Sequence, residues 1–139
     1  MGLAQRRKAR TLLVQMFYQW QYTKASFVKL KNVFSEENEG KSYDRGYFNE
    51  IMEDLVRLMD SVEEVVNGFM RKKVANITSL MLAVTRLAIY ELKYRPDVPG
   101  NVIVEEGIRV SKIFGNPDDV RIIHAVLVQL KEHLRADTV

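Results

Sequence analysis

Apolar positions recur at helical spacing along nearly the whole chain, and no segment alternates for long as a half-buried strand would. From about Ala4 to Tyr22, Ala9, Leu12, Leu13, Met16, Phe17 and Trp20 share one side and predict a first helix. Ser26 is placed to cap a second helix, because its hydroxyl can accept from a backbone N–H of the first turn; that helix buries Phe27, Leu30 and Phe34. The polar run 35–44, with Gly40 inside it, reads as a loop. A third helical stretch buries Tyr47, Phe48, Ile51, Leu55, Leu58 and Met59, then continues through Val62, Val65, Val66 and Phe69 with a kink expected near Asp60-Ser61. Leu80 to Tyr94 is apolar on nearly all sides, which predicts a central helix surrounded by others, stopped by Pro96 and Pro99. The next helix runs from about Asn101 to Phe114, with Gly115 as its expected C-cap. Asn116-Pro117-Asp118-Asp119 is a turn ending in an N-cap, and it launches a last helix through Ile123, Val126, Leu127, Leu130 and Leu134. The pattern predicts an all-α fold, a compact helical domain of about seven helices.

Composition narrows what such a fold can do. A chain of 139 residues, 47% of them apolar, is one domain with a packed core. No apolar run approaches the roughly 18 residues of a membrane span, and the basic start has no apolar signal core behind it. The absence of cysteine excludes disulfides, thiolate metal sites and cysteine nucleophiles, and fits a cytoplasmic protein. His124 and His133 stand nine apart on different faces of one helix and are expected at the surface rather than on a metal. Glu105 and Glu106 diverge by about 100° on a helix, and the glycines never cluster into a phosphate-cradling loop. No cofactor, no metal and no enzymatic activity are expected.

Charge adds an asymmetry. The first acidic residue is Glu36, and before it stand Arg6, Arg7, Lys8, Arg10, Lys24, Lys29 and Lys31, so residues 1–35 carry +7. The remaining 14 cations and 18 anions carry −4. A one-ended field of this kind suggests a polyanionic partner near the N-terminus; a solvated helix face is the plainer alternative.

The first helix therefore has two faces to account for. Projected at ~100° per residue, Ala9, Leu13, Met16 and Trp20 centre the core face. Arg7, Arg10, Val14, Tyr18 and Gln21 fall in a strip about 80° wide beside it, with Tyr22 at its border. Both arginines are thus expected off the core, replaceable by glutamate with little loss of stability. Cations next to flat aromatics suit single-stranded RNA, through phosphate neutralisation and base stacking. Tyr18 and Tyr22 suit a protein interface equally well.

Five blocks then carry a resemblance. QRRKARTLLVQMFYQWQ, YFNEIMEDL, AVTRLAIYEL, DVPGNVIVEEGIRVSKIFG and the closing AVL together resemble the NusB family of transcription antitermination factors, in the family's order and spacing over nearly the whole chain. The resemblance implies two small helical subdomains, 1–75 and 76–139, and an RNA-binding accessory factor without catalysis. It implies a cytoplasmic protein that pairs with NusE, the ribosomal small-subunit protein S-ten in its second role. The pair would bind boxA-type single-stranded RNA of ribosomal RNA leaders and join an RNA polymerase elongation complex. By the same resemblance Arg6, Arg7, Lys8 and Arg10 face RNA, while Tyr18, Gln21, Tyr22, Met81 and Ile122 face the protein partner. Asp118 lies where the two surfaces meet. Arg86 and Glu91 match RLAIYEL and are expected to be structural.

The chain also departs from the family's usual pattern. Glu105-Glu106-Gly107 stands for Asn-Glu-Ala, and Ile122-Ile123-His124-Ala125-Val126-Leu127 for Phe-Val-Asn-Gly-Val-Leu; Met81 replaces a common acidic residue. Two alternatives stay open at this stage: an RNA-binding module of this fold without an antitermination role, and a structural homodimer.

Overall fold

The helical periodicity is realised along the chain. The computed structural model describes residues 2–71 and 77–135. Among them stand six α-helices: α1 (Leu3–Thr23), α2 (Phe27–Glu37), α3 (Arg45–Val65), α4 (Ser79–Tyr94), α5 (Gly100–Phe114) and α6 (Pro117–Leu134). The count is one fewer than expected because α3 passes through Asp60-Ser61 without a break. It changes to a π-helical turn only at Val66–Met70. The proposed subdomain boundary between 75 and 76 falls outside the described residues.

Local chemistry sets the helix starts. Ser26 accepts from the Lys29 N–H, Asp44 from Tyr47 and Thr78 from Met81, each satisfying a first-turn donor that the helix leaves orphaned. Asn116 goes further, forming a reciprocal capping box with Asp119 behind Pro117. At the far end of α4 the orphaned acceptors meet a side chain from elsewhere: the Arg135 guanidinium donates to the carbonyls of Glu91, Leu92, Arg95 and Val98.

Packing follows from the apolar faces. α4 is buried at every position from Ala83 to Leu92, and it touches α1, α3, α5 and α6. α1 lies against α2 and α3 on one side and against α4 and α5 on the other. Two glycines mark close approaches. A Cβ on Gly107 would stand 2.5 Å from Cδ1 of buried Leu127, so the glycine lets α6 lie tight on α5. Gly115 is the C-cap of α5, as expected, and its backbone there is extended (φ −111°, ψ 172°). Its small size is used against Leu80 Cδ2 and Ser111 O, each 2.9 Å from a would-be Cβ. α1 ends on a left-handed cap, at Lys24 (φ 52°).

Candidate functional site

The cationic start of α1 is divided by what packs against it. Arg6 turns inward: its Nε donates to Asp44 at 2.9 Å, and its guanidinium lies 3.7 Å from the Tyr47 ring centroid. Arg7 is about half exposed and donates through Nε to Glu106 at 3.2 Å. Its Nη1 and Nη2 make no hydrogen bond among the described residues. Lys8 is exposed and has no charged partner among them.

Arg10 requires a correction. The helical projection places it off the core, but only 2% of it is exposed. Nε and Nη2 fork onto the Glu91 carboxylate at 3.0–3.2 Å, and Glu106 lies 3.6 Å from Nη1. The Tyr47 hydroxyl donates to the same Glu91 at 2.5 Å. Burial alone would lower the Arg10 pKa; the ion pair with Glu91 overcomes it and raises the value, so this cation stays charged inside the fold. Burial, reinforced by Glu91, pushes the Tyr47 phenol far above its usual range and keeps it a neutral donor. Arg10 therefore ties α1 to α4 and α5 and has no free face for a phosphate.

The same holds further along the strip. Val14 is buried, contrary to its expected place beside the cations. Gln21 is half-buried with both ends in use: Oε1 accepts from Arg86 Nη1 at 2.6 Å, and Nε2 donates to the Ser79 carbonyl at 3.1 Å. Arg86, itself buried, also pairs with Glu63 at 2.6 Å, so it pins α4 to α1 and α3. Met81 is in the core at 3% exposure, which removes it from any partner surface; an apolar thioether at the third position of α4 is drawn inward, where a carboxylate would not be. Ile122 is half-buried against the core, while Asp118 is exposed on the first turn of α6, 3.7 Å from Arg121. His124 and His133 are exposed.

Tyr18 and Tyr22 remain open. Their ring centroids are 5.4 Å apart, and the Tyr22 hydroxyl is 2.8 Å from Ser79 Oγ. They form one wall of a groove of about 740 Å³, completed by Leu80, Phe114 and Asp119. A second groove, of about 710 Å³, begins at Gln15 and Phe114 and runs toward the N-terminus past Arg7 and Lys8 to Leu3, with Arg109 and Ile113 opposite. Sequence reasoning missed Phe114, because the projection puts it within about 40° of buried Val110. Its exposure arises from what lies opposite the last turn of α5, a groove rather than another layer of side chains. Arg109 was missed as well. It donates to Glu106, to the Arg7 carbonyl and to Thr11 Oγ1, clamping α5 to the first turns of α1.

Among the described residues no group of acidic or histidine side chains is placed to hold a metal ion, and no helix is long and apolar enough to cross a membrane.

Comparison with known proteins agrees with the sequence blocks. The sequence profile of the NusB family matches residues 7–132. A transcription antitermination protein NusB of Idiomarina loihiensis is 36% identical over 124 residues, covering 89% of each chain. One from Alcanivorax borkumensis is 32% identical over 130 residues, covering 94% of this chain and 87% of the relative. The fold matches a solved structure of T. maritima NusB with a TM-score of 0.75 at 20% identity, over 91% of this chain and 90% of that one.

Proposed function

Because the chain belongs to the NusB family, we propose that it acts in transcription antitermination by holding single-stranded RNA and a protein partner side by side, without catalysis. The observation that carries this reading is the division of α1. Lys8 and the unbonded Nη groups of Arg7 offer positive charge at its start, and the Tyr18–Tyr22 wall offers aromatic surface about three turns later. Eleven residues separate Arg7 from Tyr18, about 16 Å along a rigid helix. The RNA is a boxA-type leader element contacted by Arg7 and Lys8, with Arg6 at the edge of the site. The partner is NusE, received by Tyr18 and Tyr22 with Asp118 and Ile122 at the margin, and the complex travels with RNA polymerase in the cytoplasm.

The test is a titration of boxA-type RNA and a scrambled control, each with and without NusE. Tighter binding of the boxA-type RNA in the presence of NusE is expected. Equal binding of the two RNAs in that condition would reduce the protein to an unspecific RNA-binding module of the same fold.

A further inference from the structure

The groove between the start of α1 and the end of α5 places beside Arg7 and Lys8 an apolar wall that the functional reading above does not use. Its walls include three exposed apolar side chains, Leu3 (64%), Ile113 (54%) and Phe114 (44%). Three cations, Arg7, Lys8 and Arg109, line it as well, and no carboxylate does. The nearest acid, Glu106, is buried and engaged with Arg7, Arg10 and Arg109. Glu105 is exposed but is not part of the lining. The Phe114 ring has no stacking partner among the described residues. An unpartnered aromatic face with phosphate-binding cations beside it is the physical description of a stacking platform for single-stranded nucleic acid.

We propose that this groove receives one unpaired base of the bound RNA. The base stacks on Phe114 between Leu3 and Ile113, and the phosphates flanking it meet Lys8 and the free Nη groups of Arg7. Arg109 is a positioning residue: it holds the Arg7 carbonyl at 2.9 Å and shares Glu106 with the Arg7 side chain. The ligand is a base with its two phosphates, and charge argues for it over other occupants. A second copy of the chain docking groove to groove would set the same three cations against themselves, which like-charge repulsion opposes. A protein segment would have to bring its own acids to meet the three cations, whereas a nucleotide carries the flat ring and the negative charge together.

This inference rests on the RNA-binding reading and is tested so that the two can fail separately. Fluorescence anisotropy follows a labelled oligouridine of about 12 nucleotides, a length within the span of one single-strand site. Wild type, Phe114→Leu, Phe114→Tyr and Lys8→Gln are compared after circular dichroism shows each folded. Phe114→Leu keeps apolar volume and loses the aromatic face, so its affinity should fall roughly five-fold or more, while Phe114→Tyr should retain it. Lys8→Gln should lower the slope of log affinity against log salt by about 0.7, the loss of one phosphate contact on a single strand. Phe114→Leu binding as tightly as wild type while Lys8→Gln binds weakly would overturn the platform and leave the RNA-binding reading standing. No RNA binding by wild type at low salt would remove both. A dimer that Phe114→Leu dissociates, or a protein partner it releases, with RNA affinity unchanged, would assign the groove to that occupant instead.

Discussion

At the scale of single residues, Arg7 and Arg10 show how little a side chain's identity says about its task. Both belong to one cationic run, three residues apart. Arg7 keeps two free nitrogens at the surface, whereas Arg10 is locked onto Glu91 with Tyr47 and Glu106 around it. Removing one partner of a buried, hydrogen-bonded ion pair costs about 3–5 kcal/mol, a large part of a domain's typical stability of roughly 5–15 kcal/mol. Arg10→Glu also places a third carboxylate beside Glu91 and Glu106, so thermal melts of this variant should show a large loss of stability or no folded protein. Arg7→Gln leaves Glu106 paired with Arg10 and Arg109; its melting temperature should stay close to wild type while RNA affinity falls. A stable Arg10→Glu variant with weakened RNA binding would return Arg10 to the RNA surface.

At the scale of elements, the start of α3 depends on α1. The Asp44 carboxylate caps α3 through the Tyr47 N–H at 3.0 Å and accepts from Arg6 of α1 at 2.9 Å. Burial opposes its ionisation, but these two hydrogen bonds and the Arg6 charge together hold its pKa below the ordinary carboxylate value. A carboxyl whose folded pKa is depressed contributes stability above its unfolded pKa, and that contribution is lost as pH falls through the folded value. Asp44→Asn keeps the cap but not the charge. Urea midpoints should therefore show the variant less stable than wild type at neutral pH, with the gap closing on acidification below about pH 4. A gap that stays constant with pH would show that the Asp44 charge does not support this junction.

At the scale of the whole molecule, the proposed RNA and protein surfaces share α1 and meet at Gln15 and Phe114, which line both grooves. Two ligands joined by one rigid element can form a composite surface, and a partner seated on the tyrosine wall can add its own RNA contacts. With so few free cations the protein alone should bind RNA weakly. Coupling of about 1–3 kcal/mol would tighten it roughly five- to 150-fold when NusE is present, and linkage requires RNA to strengthen NusE binding by the same factor. Tyr18→Ala should lower partner affinity, and should lower RNA affinity mainly with the partner present. A full cycle of RNA affinities, with and without NusE, for wild type and Tyr18→Ala checks this; equal wild-type affinities in the two conditions would leave two independent sites.

The sequence by itself determined the elements. Helical periodicity and a cap such as Ser26 act within a few residues, so they can be read without knowing the fold; the last helix begins earlier than read, capped by Asn116 at the start of its turn rather than at the end. It also carried the family blocks, and with them the class of work the protein does. Tertiary structure decided which of those residues are free to work. A helical projection gives the angle of a side chain but not what packs at that angle, and α1 has neighbours on two sides, so Arg10 and Val14 fall inside an arc that a single neighbour would leave open. The +7 of residues 1–35 is answered in space by acids from far along the chain: Asp44 for Arg6, Glu53 for Lys31, Glu106 for Arg7 and, 81 residues away, Glu91 for Arg10. Charge interacts through distance in space, which sequence separation does not measure. Among the described residues Lys8, Lys24 and Lys29 are left without a carboxylate partner, and of these only Lys8 stands beside the Nη groups that Arg7 keeps free.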